Sequence, residues 1–454
     1  MKRNYYRITA MLLTLFLVTM LVAACGSKSD TNKNVAGSTE PADSQSASAS
    51  GEPQKAVTLS LLANKDHWTL GTQAIVDAFN AKGTGITVEV EVLPGGNETD
   101  NIMKTRLATG EAPDIFQWLS GAKLNDVAPE QNFEDLSAEA FMSNVDESFK
   151  SVMSLNGKVY GIPGSPAQFG VWFYNKKVYD ELSLKAPKTW AELMDNSEKI
   201  KAAGKTAIIA PYKDAWTSQL IVLADHYNVK HSVPTLAADL TANKVKLQDV
   251  PEYVRSWEKL QEVFTKGYIS KDALSMSYDT ALKMLAEGTG VQFPMGSWML
   301  DALVEKYPDQ AKDIGSFVQP SDDASVNGIT LWMPEGLMMS KQSENKDSVR
   351  KFLDFYVSKE GTDAFMSKQK PAGPFLVKGI TLPDDVLPAV KDAVQYIDNG
   401  AANAALEFES PIKPTSFEKI TILVAAGFKT PLEGVKMTDA ENEKYAKLQK
   451  LAGW

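Results

Sequence analysis

Ile86-Thr87-Val88-Glu89-Val90-Glu91-Val92 alternates branched apolar residues with polar ones, the period of a strand with one buried face. Upstream, Val57, Leu59 and Leu61 alternate in the same way. Between the two runs Ile75, Ala78 and Phe79 fall on one helical face. Strand, helix, strand in this order predicts an α/β sheet, with ligands at the carboxyl ends of its strands. Asp114-Ile115-Phe116-Gln117-Trp118, opened by Ala112-Pro113, adds a further strand. Thr189-Trp190-Ala191-Glu192 after Pro187 has the Thr-x-x-Glu spacing of a capping box, which makes Trp190 a packing residue. A buried strand is expected over 206–210. An amphipathic helix is expected through Val349, Phe352, Leu353, Tyr356 and Val357, and a solvated Lys- and Glu-rich helix at the end.

The first residues predict a compartment. Lys2, Arg3 and Arg7 precede an apolar run from Ile8 to Val22, and Leu21-Val22-Ala23-Ala24-Cys25-Gly26 follows. A positive start, a short apolar core and small residues before a break mark a signal peptide over 1–24. Cys25 is the only cysteine, so it cannot form an internal disulfide. Residues 25–55 are rich in Ser, Ala, Asn, Thr and Gly with almost no large apolar side chain, a composition that buries too little to fold and reads as a tether. The remainder is long enough for two domains. The net charge is −10, and losing the three cations at 2, 3 and 7 takes it to −13. Such an acidic body argues against nucleic acid as partner.

Several short patterns then occur in a characteristic order. They are Gly110-Glu111-Ala112-Pro113-Asp114-Ile115-Phe116, Asn156-Gly157-Lys158-Val159-Tyr160-Gly161-Ile162-Pro163, Phe173-Tyr174-Asn175-Lys176, and Pro187-x-Thr189-Trp190-x-Glu192. Gly296-Ser297-Trp298 follows Glu287-Gly288, and Ser358-Lys359-Glu360-Gly361 closes the helix from Ser348 to Val357. On these the chain resembles the family 1 extracellular solute-binding proteins, which include maltose-binding protein. The stretch Leu21 to Cys25 likewise resembles a bacterial lipobox, which implies lipidation of the Cys25 thiol and a membrane anchor. The resemblance implies a two-lobed periplasmic-binding-protein-like α/β fold, with a ligand cleft between lobes and several hinge crossings, near 165–169, 317–326 and 370–376. The lobes would be 56–167 plus 327–370 and 168–326 plus 371–454. It also implies the substrate-binding component of an ABC uptake system at the extracytoplasmic face of the membrane. That component would be a monomer that delivers a carbohydrate to the permease transmembrane subunits, with no catalysis, cofactor or metal.

Sugars present apolar faces and a hydroxyl rim, which call for aromatic rings and polar partners on loops. Trp118 falls where maltose-binding protein has a ligand-contacting tryptophan. Gln168, seven residues before Asn175, falls where that protein has an acidic contact. Trp298 and the pair Asp214 and Trp216 match stretches where the family places aromatics against sugar. Asp66, His67 and Trp68 follow the first strand, and Trp332 and Glu335 are assigned to the strand returning to the first lobe. Each tryptophan has packing as its alternative, and Trp172 and Trp257 are read as core. The glutamine at 168 and the Leu119-Ser120-Gly121 that follows Trp118 depart from the maltose-binding pattern, which favours another mono- or oligosaccharide.

Two other classes stay open. Asp66, Asp214 and Glu335 would suit a polyamine held by the same fold. A surface glycoside hydrolase needs only two carboxylates in a cleft. Among the three histidines, His226 and His231 are five apart, not the four of a helical zinc pair, and no Gly-x-Ser-x-Gly elbow is present.

Overall fold

A computed structural model describes residues 56–95 and 97–454. The signal peptide, Cys25 and the tether lie outside the described residues. Two sheets organise the body. In the first, the strand order is Ile86–Leu93, Val57–Asn64, Ile115–Trp118, Gly336–Met339, Ile162–Pro163. The first three are parallel, paired from Val57↔Ile86 to Asn64↔Leu93. Gly336–Met339 runs antiparallel to both of its neighbours. Val57–Asn64 is flanked on both edges, and Leu59, Leu61 and Leu62 are buried, as an internal parallel strand requires.

Helix Leu70–Ala81 opens on a capping box in which Thr69 accepts from the Thr72 amide. It buries Ile75 and Phe79, whose ring meets Phe352 edge-on at 5.1 Å on helix Lys346–Tyr356. A side chain at Gly71 would collide with the Phe365 ring of helix Lys359–Lys368 at 2.5 Å, so glycine here lets the two helices approach closely.

The second sheet has the order Ala402–Ala404, Ile329–Trp332, Gln168–Asn175, Gly290–Gly296, Thr206–Ile208. Ile314–Val318 pairs with the far half of Gln168–Asn175. The Thr189 capping box forms as expected, and Trp190 is buried. Trp172 stacks on Phe317 at 6.1 Å and Trp190 lies edge-on at 6.2 Å. Trp172 and Trp257 are fully buried, as the packing reading expects. Beside them lies a buried ion pair. Lys259 donates to Asp225 at 2.9 and 3.2 Å and to the Pro320 carbonyl at 3.1 Å. Ser256 and Asn228 complete the carboxylate's shell at 2.6 and 2.7 Å.

The chain leaves the first sheet after Ile162–Pro163 and enters the second at Gln168. Its return differs from expectation. Ile329–Trp332 pairs with Gln168–Asn175, so Trp332 belongs to the second sheet, and passage back occurs between Trp332 and Gly336. The expected crossing at 317–326 does not leave the second sheet's surroundings, since Ser321 bridges Thr189. Residues 371–378 still touch first-sheet surroundings, through a Val377↔Val145 bridge and the Lys378 amide on the Asn144 carbonyl. Helix Pro388–Asp398 then packs on Ile314–Val318, where Ser316 donates to the Ala389 carbonyl.

Candidate functional site

The carboxyl ends of four strands carry most of the expected site residues. Val57–Asn64 leads into Asp66, His67 and Trp68, and Ile115–Trp118 into Ser120 and Gly121. Thr206–Ile208 leads into Asp214 and Trp216, and Gly290–Gly296 into Ser297 and Trp298. This is where side chains of an open α/β sheet converge on a ligand.

The first loop is tied down by its own backbone. The Asn64 carbonyl accepts from the amides of His67 (3.0 Å) and Trp68 (2.9 Å), and its Oδ1 accepts from the Asp66 amide at 2.8 Å. Gln117 holds the base of the turn, accepting from the Asn64 amide. His67 Nδ1 is thereby placed 2.7 Å from Glu335 Oε1, with Glu335 nearly buried. Burial works against a charged imidazole. The Glu335 charge and hydrogen bond outweigh it, with help from Asp66 and Asp100, and the His67 pKa is raised. The Asp66 carboxylate lies against Gly95, where any side chain would overlap it at 2.0 Å. Trp68 Nε1 donates to Gln73.

Across the hinge segments stands a wall of indoles. Trp298 meets Trp332 edge-on at 5.9 Å and 79°, and Trp216 lies 6.3 Å from Trp298 and 5.4 Å from Tyr278. Trp216 is 39 % exposed, whereas the other two are half-buried. Two glycines make the wall possible. A Cβ at Gly296 would overlap the Trp298 ring at 2.1 Å, and one at Gly170 would meet the Trp332 ring at 2.6 Å. Trp332 Nε1 donates to Glu407 Oε1 at 3.1 Å, and the other Glu407 oxygen pairs with Lys413. Gln168 joins this group through Ser297, whose hydroxyl donates to Gln168 Oε1 at 2.5 Å. The three tryptophans, Gln219, Glu407 and Lys413 are among the residues that line a cavity of about 170 Å³ in the second lobe.

Two expected contacts have other duties. Trp118 is 2 % exposed. Its ring packs on Phe116 and its indole N–H donates to the Lys123 carbonyl, so it lies in the first-lobe core and not on the wall. Asp214 accepts the Tyr278 amide at 2.6 Å, clamping the start of helix Tyr278–Glu287. Glu407, Lys413, Gln219 and Tyr278 were not foreseen. Their residue types are common, and only the pairing of Ala402–Ala404 with Ile329–Trp332 brings 406–413 to the wall.

The lobes touch directly. Gly121, at φ +67°, lies so close to helix Leu406–Glu409 that an added Cβ would meet the Phe408 ring at 2.7 Å and the Glu407 carbonyl at 2.8 Å. Gln369 forms a second bridge. It accepts from the Gly71 amide and donates to Asp301 Oδ2, each at 3.0 Å. Burial lifts the Asp301 carboxyl to about 6, against the opposing hydrogen bond from Gln369. Among the described residues no helix is long and apolar enough to cross a membrane.

Residues 66–363 match the family model of the bacterial extracellular solute-binding proteins. The multiple sugar-binding protein of Streptococcus mutans is 24% identical over 342 residues, covering 73% of this chain and 78% of the relative. The maltooligosaccharide ABC transporter solute-binding lipoprotein of Streptococcus pneumoniae is 24% identical over 379 residues, covering 79% of this chain and 78% of that one. Among solved structures, the apo form of RafE from Streptococcus pneumoniae superposes with a TM-score of 0.71 at 21% identity, over 87% of this chain and 99% of its own. A chitin oligosaccharide binding protein gives 0.70 at 20% identity, over 86% and 98%. With its two sheets, crossing segments and facing loops, the chain belongs to the bacterial extracellular solute-binding proteins.

Proposed function

We propose that this protein captures a mono- or oligosaccharide between its lobes and hands it to an ABC permease at the outer face of the cell membrane, where the Cys25 lipid holds it. The observation that carries the reading is the Trp216–Trp298–Trp332 wall, beside which stand Gln168 and Glu407, together with the His67–Glu335 pair on the loop after the first strand. Indole faces cover the apolar faces of pyranose rings, and the polar groups bond the hydroxyl rim. The names of the sugar-binding relatives support the same ligand class. We assign Trp216, Trp298 and Trp332 to stacking and His67 with Glu335 to hydroxyl recognition. Asp66, Trp68 and Gln168 support those groups. Under this reading the protein acts as a monomer without cofactor and turns nothing over.

The polyamine alternative loses ground on charge. A polyamine needs carboxylates with capacity to spare, whereas Glu335 is engaged by His67, Glu407 by Lys413 and Trp332, and Asp214 by a backbone amide. A ligand that binds only the folded state at 100 times its Kd stabilises it by about 2.7 kcal/mol. A thermal-shift screen of the purified protein against sugars, polyamines and metal ions is therefore decisive. Stabilisation by one saccharide class supports the proposal. Stabilisation by polyamines alone, or hydrolysis of an oligosaccharide, removes it.

A further inference from the structure

The cavity behind the tryptophan wall does not end at the indoles. It runs into the second lobe between the helices Leu236–Thr241, Pro251–Thr265, Phe417–Ala425 and Pro431–Leu448. Its inner surface is formed by Leu240, Leu247, Tyr253, Ile412 and Phe417, all buried. At about 170 Å³ it is close in volume to the ~150 Å³ cavities that hold one benzene ring. A sugar hydroxyl rim finds few partners among such walls, so a bare pyranose gains less by entering than an aromatic ring does. Of the polar residues that line it, Gln219, Glu407 and Lys413 stand with the tryptophans, and Thr438 donates its hydroxyl to the Gly434 carbonyl. Asn442 lines the cavity, is 1 % exposed, and its Oδ1 has no hydrogen-bond partner. A buried amide oxygen left unpaired costs about 1–3 kcal/mol, which a ligand donor placed there recovers.

We infer that this cavity is an aglycone site, shaped for an aromatic ring that carries a hydroxyl donor. The ligand class that fills both the wall and the cavity is then a hydroxyaryl glycoside. Its sugar rests on Trp298 and Trp332, and its aryl group occupies the cavity so that its hydroxyl donates to Asn442 Oδ1. The inference rests on the carbohydrate reading only for the sugar half, because the aryl half stands on the cavity itself. Removing a ring from water into such walls raises affinity about tenfold or more.

The test uses phenol, toluene, and the methyl, phenyl and 4-hydroxyphenyl glycosides of glucose and galactose, titrated calorimetrically into the purified protein. Phenol is expected to bind saturably and about fivefold or more tighter than toluene. A 4-hydroxyphenyl glycoside is expected to bind at least tenfold tighter than its methyl counterpart. Leu240→Phe fills the cavity and should abolish both gains. Asn442→Leu, which leaves the volume nearly unchanged, should erase only the preference for phenol over toluene, so a folding defect in the first variant does not decide the matter. Saturable phenol binding with silence from every glycoside supports the aryl site while sinking the carbohydrate reading. Equal affinity for methyl and aryl glycosides, or phenol binding indifferent to both variants, overturns the inference.

Discussion

Gly121 is the residue at which cleft closure can be separated from stability. Its φ of +67° costs a β-branched residue about 1–2 kcal/mol wherever the lobes stand. The second cost exists only while the loop meets helix Leu406–Glu409. A Cβ there would lie 2.8 Å from the Glu407 carbonyl oxygen and 2.9 Å from the Phe408 Cα. These are backbone atoms that no rotamer change removes, and overlap of this kind costs about 1–3 kcal/mol. Gly121→Val is thus expected to lower unfolding free energy modestly and to raise the Kd for a captured saccharide about 5- to 150-fold, since 1.4 kcal/mol is tenfold. Gly121→Asn, which tolerates the left-handed region but keeps the Cβ, should retain most of the affinity loss with less of the stability loss. The assays are urea denaturation, calorimetric Kd, and the radius of gyration from small-angle scattering with and without ligand. If both variants are merely less stable, binding as tightly and contracting as much as the parent, the contact has no part in closure.

Other consequences follow from particular side chains. Lys259→Met leaves the Asp225 carboxylate buried with only neutral donors, so denaturant unfolding should show a loss of about 3–5 kcal/mol. His67 is raised by Glu335, so its contribution is complete below the unfolded imidazole's pKa of about 6.5 and is lost as pH rises through the folded value. The stability gap between the parent and His67→Gln should therefore be wide at pH 6 and shrink at pH 9; a gap that widens with pH would contradict the assignment. Asp301 has the opposite sign. Its carboxyl stands at about 6 against about 3.9 unfolded, so stability falls as pH rises between those values. Asp301→Asn, still able to accept from Gln369, should be more stable than the parent by about 2 kcal/mol at pH 7.5, with the difference gone near pH 4.

The periodic elements were legible because periodicity is local. The alternation at 86–92 and the Thr189 capping box appear where the residues place them. What escaped the sequence depends on pairing between distant segments. Ile329–Trp332 and Gly336–Met339 are both short apolar runs, separated by Met333-Pro334-Glu335. Nothing in their composition says that the first joins the second sheet and the other the first. Trp118 was misleading for a related reason. Ile115–Trp118 is buried at all four positions, so its apolar run gives no direction in which the last ring should point, and Lys123 supplies the polar partner its indole needs. Trp216, Trp298 and Trp332 could be picked out as residue types that suit a sugar. Their convergence, and the Glu407 that fixes Trp332, arise only once the second sheet is assembled.

The most direct test of the central claim is isothermal titration of the purified protein with the saccharide that the thermal screen selects, repeated on Trp298→Ala, Trp332→Ala and Trp118→Ala. One saccharide per chain is expected, with Kd raised tenfold or more by either wall substitution, as loss of ~1.5–3 kcal/mol of ring contact implies. Trp118→Ala should lower stability and leave binding in the surviving folded protein near the parent's. Unchanged affinity in both wall variants, or loss confined to Trp118→Ala, would place the sugar elsewhere in the cleft and contradict the account.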